Sequence, residues 1–260
     1  MQAIRFYLAL YLIAVKSRAE YRVDFAVGVI TALSSQASAL AFFWMVFTHA
    51  PSIGQWSSAE VLFLFGLTAM VLGLAEATLN GIWMLPFYLV AGELDRLFVY
   101  PVRSLPFVLI SRPELHSFGN FASGAITVGV AWSMAPPPLA AYFLLPIWVV
   151  SGALIYTSAL VVIASLSFVM MGPHAWHMLA VHNLLGSARY PVTIYPRWFQ
   201  ILTVFVLPFG AAIFVPGKWL RGDFELWVAL VAPMVAAVFG ILLANSVWNA
   251  MTKKYQSTGS

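Results

Sequence analysis

Few residues in this chain could do chemistry, and most of them sit among apolar neighbours. Glu76 is the one carboxylate inside a predicted membrane span, where an ionisable group marks a site for a proton, an ion or a polar substrate unless its neighbours hold it for structure. The plainer reading is also open, with Glu76 near the inner end of its helix and within snorkelling reach of water or Arg96. Gln36 and Ser38, close to Ser34 and Ser35, and Asn120 further on, either line a polar path or hydrogen-bond between helices. His174, His177 and His182 fall at roughly 0°, 300° and 80° around a helix, so they share no narrow face, and no carboxylate stands near to complete a metal site. Packing or interfacial hydrogen bonding suits them better than ligation. No G-x-x-x-x-G-K-[ST] occurs, no H-E-x-x-H occurs, and Ala122-Ser123-Gly124 lacks the glycine two residues before the serine. The chain therefore has no P-loop for ATP and no signature of membrane-embedded hydrolysis.

The elements that must position these residues follow from composition. Of 260 residues, 62% are hydrophobic and 8% charged, mean hydropathy is +0.90, and there are 10 Trp, 20 Phe and no Cys. Soluble domains run near ~45–50% apolar and ~25% charged, so this is an integral membrane protein. A net charge of +4 spread over so long a chain forms no nucleic-acid-binding face, and the missing cysteines exclude disulfides and thiolate sites.

A bilayer core of ~30 Å takes ~20 apolar residues per helix, so charge-free stretches convert into spans. The predicted helices cover about 25–47, 61–79, 116–134, 139–170, 174–188 and 226–250. Between 115 and 188 no Asp, Glu, Lys or Arg occurs, which gives room for three crossings, divided by Ala135-Pro136-Pro137-Pro138 and Gly172-Pro173. The uncharged segment 198–217, split by Pro208 and closed by Pro216, reads as a re-entrant hairpin. Its rival makes 199–216 the fifth span and leaves 174–188 on the cytoplasmic surface. Counting loop cations favours the rival, because Arg189 and Arg197 then join the inner side. Both arrangements put both termini in the cytoplasm. Residues 1–22 carry only ten consecutive apolar positions before Lys16 and Arg18, and read as an interfacial helix. Residues 255–260 form a tail.

Within the inner loop 80–114, Gly92, Glu93, Leu94, Asp95, Arg96 and Leu97 predict a short amphipathic helix that Pro101 stops. It either lies on lipid headgroups or docks a cytoplasmic partner. At these residues the chain resembles the membrane subunit of type-2 ABC exporters, whose coupling helix carries a similar Gly-x-Leu-Asp core before a proline. A second block, Tyr190-Pro191, Tyr195-Pro196, Trp198, Pro208 and Pro216, resembles the family's paired aromatic-proline signature. The viologen-exporter-like permeases look most similar.

The resemblance implies an all-α fold of six transmembrane helices with an N-terminal interfacial helix, a cytoplasmic coupling helix and an external re-entrant hairpin. It also resolves the choice over 174–217 toward the hairpin. It implies a multi-pass permease of the bacterial cytoplasmic (inner) membrane that is not an enzyme. ATP and Mg would belong to a separate ABC ATPase dimer, and a second, different but homologous permease chain would complete the path. The stretch between Pro216 and Leu226 leaves no room for a large external domain. The alternative function is an ATPase-independent six-span transporter, or a lipid-modifying membrane protein, using Glu76.

Overall fold

Long apolar runs become long helices because a backbone in lipid must satisfy its own hydrogen bonds. The computed structural model describes residues 2–20, 22–49, 52–99, 102–169 and 176–255. Helix α1 is Gln2–Ala19 and α2 is Arg22–His49. A two-residue hairpin, β1 (Ser52–Ile53) with β2 (Trp56–Ser57), leads into α3 (Ser58–Leu79). The start of α3 is fixed by a capping box in which the Ser57 amide donates to Glu60 Oε2 at 2.7 Å and the Glu60 amide donates to Ser57 Oγ.

Residues 80–114, expected as a loop with one short helix, are largely helical. A 3₁₀ turn (Asn80–Met84) is followed by α4 (Leu85–Val90), α5 (Glu93–Phe98) and α6 (Ser104–Ile110). The apolar run that begins at Ser58 therefore continues to Val90, and Glu76 lies inside it rather than at its end. Then come α7 (Ser117–Met134), α8 (Ala140–Ala164, extended by a 3₁₀ turn to Phe168) and α9 (Trp176–Ser187). The last helices are α10 (Arg197–Ile201), α11 (Phe209–Ala212), α12 (Phe214–Leu220) and α13 (Leu226–Thr252).

Among the described residues, four helices are long and apolar enough to cross a membrane: Phe25–His49, Ser58–Val90, Ala140–Phe168 and Leu226–Thr252. Arg197–Val206 and Phe209–Leu220 make a bent pair, turned by 76°, which would raise the number to five. Of the six predicted spans, α7 and α9 do not pass this test. Helix α9 has only 12 residues, and α7 carries Asn120 and several Ser and Gly positions in its 18. Pro216 does not close the second half of the bent pair. It occupies the first turn of α12, where a missing N–H has no helical partner to lose, and α12 continues to Leu220.

Helices α3 and α8 are the buried centre, while α2 and α13 expose most of their apolar side chains. The closest seam lies between α3 and α7. A Cβ on Gly66 would stand 2.9 Å from the Gly124 carbonyl oxygen, one on Gly124 would stand 2.7 Å from the Gly66 carbonyl oxygen, and one on Gly73 would strike the Phe121 amide. Small residues let the two backbones touch where lipid supplies no hydrophobic drive to hold them. On the other side α8 meets α13, where the Trp148 indole donates to the Ala229 carbonyl at 2.8 Å.

Candidate functional site

Helix α9 runs antiparallel to α8 and brings its polar side chains against α3. His177 Nε2 lies 3.3 Å from Ser167 Oγ, and His182 Nδ1 lies 3.0 Å from the Tyr156 hydroxyl. Seven residues beyond His182, just past the end of α9, the chain reaches Arg189, whose guanidinium carbon sits 5.3 Å from the centroid of the Phe65 ring. Glu76, with a side chain 14% exposed, accepts a hydrogen bond from Ser117 Oγ at 3.0 Å on Oε2 and faces His182 Nδ1 at 3.5 Å on Oε1. This replaces the expectation of a carboxylate snorkelling toward water or Arg96. The apolar run does not stop with α3 at Leu79 but goes on through the 3₁₀ turn and α4, and partners from α7 and α9 face the group.

These residues enclose a cavity of about 230 Å³ whose polar lining is Ser35, Gln36, Glu76, Asn120, His182 and Arg189. Of the residues suggested for a polar path, Gln36, Glu76 and Asn120 come together here. Ser38 does not, because its hydroxyl donates to the Ser34 carbonyl at 2.8 Å on an exposed face of α2. Gln36 is the one buried residue among the described side chains of α2, at 6% exposure, and its Nε2 has no hydrogen-bond partner. Arg189 Nε likewise has none. Sequence reasoning assigned His182 to packing and Arg189 to a loop. Only the docking of α9 on α8 puts them beside Glu76.

A second cluster gathers at α5. Gly92 enters it at φ +68°, a backbone conformation that glycine adopts without a Cβ clash. Leu94 is fully buried, Glu93 is exposed, and Asp95 interacts with the Tyr255 hydroxyl beyond α13. Burial, and then the Asp95 carboxylate, push the Tyr255 hydroxyl above its ordinary pKa. The Tyr255 ring packs edge-on against Phe168, Phe168 packs edge-on against Trp248, and the Trp248 indole donates to Ser104 Oγ at 3.1 Å. The short helix is thus tied to the ends of α8 and α13 and to the start of α6. Pro101 and the side chains of Arg96 and Leu97 lie outside the described residues. Helix α1 leans on the same region, with Tyr7 donating to the Arg103 carbonyl at 3.1 Å and Tyr11 donating to the Ala77 carbonyl at 3.2 Å.

At the opposite end of α3, Arg221 reaches Glu60 at 3.9 Å and stacks over Trp56 at 4.6 Å. Lys218 donates to Asp223 at 2.8 Å, and that bond first of all holds the Asp223 carboxyl below its ordinary pKa. The bent pair sits here. Its turn, after a π-helical segment (Leu202–Val206), is at Leu207 and Pro208. Arg197 and Lys218 line one cavity of about 350 Å³, while Ala212 meets the middle of α8 at Gly152. Tyr195 donates to the Ser187 carbonyl at 3.1 Å and stacks on Phe199, and Trp198 is exposed.

Residues 33–259 match the sequence model of the family described as ABC-2 family transporter protein. The chain belongs to that family. No curated protein and no solved structure matches it. As an ABC-2 family member it is a permease component of an ABC transporter and a multi-pass membrane protein, and it is not itself an enzyme. Permeases of this family typically work with an ABC ATPase.

Proposed function

We propose that this ABC-2 permease is half of the membrane path of an exporter driven by a separate ATPase dimer, with α5 as the surface on which the ATPase presses. The observation that carries this reading is the anchoring of α5. Buried Leu94 fixes it, Asp95 joins it to Tyr255, and exposed Glu93 faces away from the bundle. A push on α5 is therefore transmitted to the ends of α8 and α13 as a rigid-body tilt, since close-packed helices move as units.

In this reading α7 and α9 complete six crossings, α1 lies at the cytoplasmic face of the inner membrane, and both termini are cytoplasmic. The bent pair is a re-entrant hairpin entered from outside. Its support is the shared cavity of Arg197 and Lys218, which sets both ends of the pair near each other, with the turn deeper beside α8. The pairing chain is a different, homologous permease, by resemblance to the viologen-exporter-like group. Glu76 orders the cavity instead of carrying a coupling ion, because Ser117 already donates to one carboxylate oxygen and His182 stands 3.5 Å from the other.

The test is ATP hydrolysis by the reconstituted permease and ATPase. Asp95→Arg is expected to abolish substrate-stimulated hydrolysis while membrane insertion and the elution profile stay unchanged. Retained stimulation in Asp95→Arg and Glu93→Arg together would place the ATPase contact elsewhere.

A further inference from the structure

The polar cavity between α2, α3, α7 and α9 has an asymmetry in its unmet hydrogen-bonding groups. Glu76 Oε2 accepts from Ser117 Oγ at 3.0 Å, and its Oε1 lies 3.5 Å from His182 Nδ1, the nitrogen that also meets the Tyr156 hydroxyl at 3.0 Å. The buried side-chain groups of the lining left without partners are N–H donors, Gln36 Nε2 and Arg189 Nε. Buried donors without acceptors are rare in native structures because each has lost its water and gained nothing. Arg189 also brings a positive charge, which interacts electrostatically with Glu76 in the same cavity without closing to a direct ion pair, its guanidinium resting over Phe65. A planar guanidinium and a carboxamide lining one cavity together present donors to a group with two or more oxygens and a negative charge.

The size of the cavity limits the rest of the ligand. At about 230 Å³ it is smaller than the roughly 300–1,000 Å³ of sites that enclose a whole drug-sized molecule. It suits a headgroup. Ala69 and Leu72 supply an apolar wall, and the helix that closes the other side, α2, exposes Ile30, Leu33 and Phe42.

We infer that this cavity binds the anionic oxygen headgroup of an amphiphile, a carboxylate or a phosphodiester, through Gln36 and Arg189. Glu76 sets a limit on that charge. A second negative charge on the ligand would meet the Glu76 carboxylate across the cavity, so a monoanion is favoured over a dianion. Gln36 reads the headgroup from α2 and Arg189 from the segment after α9, so the ligand bridges the two.

This inference deepens the export reading by naming a substrate class, yet binding needs no ATPase. Its failure is thus separate from failure of ATPase coupling. The full chain is purified in a maltoside detergent and titrated with tetradecanoate, tetradecyl methyl phosphate or tetradecyltrimethylammonium, with binding followed by equilibrium dialysis. Saturable binding of one or both anions is expected, the two arms distinguishing carboxylate from phosphodiester. Arg189→Lys keeps the charge but loses the planar fork, and is expected to weaken binding by about tenfold. Gln36→Leu is expected to weaken it severalfold. Should either variant fail to fold, Ser35→Cys gives a single thiol in a chain without native cysteine, and the bound anion is expected to slow its modification. Equal binding of the ammonium, unchanged affinity in both variants, or an unprotected thiol would overturn the assignment.

Discussion

His182 Nδ1 stands 3.5 Å from Oε1 of Glu76, which joins the middle of α9 to the long apolar helix α3 through the one carboxylate in that helix's buried interior. The same nitrogen lies 3.0 Å from the Tyr156 hydroxyl, so α3, α8 and α9 meet at a single polar node. Groups that share a node are expected to respond to substitution together, not additively.

Glu76→Gln is expected to lower transport by less than roughly tenfold, because the amide keeps an acceptor for Ser117 and the lost term is of hydrogen-bond size, ~1 kcal/mol. The measurement is substrate efflux from vesicles holding the reconstituted transporter. Complete loss of efflux, with folding and ATPase association intact, would favour an ion-coupled role for this carboxylate.

The crossing of α3 and α7 makes a prediction about stability alone. Gly124→Leu places a branched side chain where the Gly66 carbonyl oxygen and the Met70 amide nitrogen are each 2.7 Å from an added Cβ. Overpacking of this kind costs about 1–3 kcal/mol, more where backbone is the obstacle. A lower unfolding temperature in detergent is expected for Gly124→Leu. A Cβ added at Gly129 on the same helix meets no neighbour within 4 Å, and Gly129→Leu is expected not to lower the temperature.

Which of these relations could be read from the sequence depends on their range. Helices α2, α3, α8 and α13 are legible because their apolar runs exceed the length a bilayer demands. The break near Pro208 is legible because proline removes a helical donor, whereas Pro216 misled because its position in the first turn of α12 cannot be known before the start of that helix is. Gln36, Glu76 and Asn120 stand out as polar residues in apolar surroundings, and the fold brings them to one cavity. His182 and Arg189 were hidden. Their place depends on α9 docking antiparallel to α8, a contact between distant segments that leaves no local period. The Gly66 and Gly124 seam was hidden for the same reason.

The topology of the bent pair is open to a direct chemical measurement, since any introduced cysteine is the only thiol. Arg197→Cys is expected to react with a membrane-impermeant thiol reagent outside intact cells, whereas Ser17→Cys, on α1, reacts only after permeabilisation. Protection of the thiol introduced by Arg197→Cys in intact cells, with labelling after permeabilisation, would make 199–216 a membrane span and put Arg197 in the cytoplasm.

A permease driven through α5 by a separate ATPase must bring that ATPase with it when purified from its native membrane. The full chain, tagged and extracted in a mild detergent, is predicted to carry a stoichiometric chain with the P-loop G-x-x-x-x-G-K-[ST], identified by mass spectrometry. Asp95→Arg is predicted to lose that chain while keeping its own membrane insertion. Purification without any P-loop chain, from membranes in which the permease is folded and active in transport, would contradict the account.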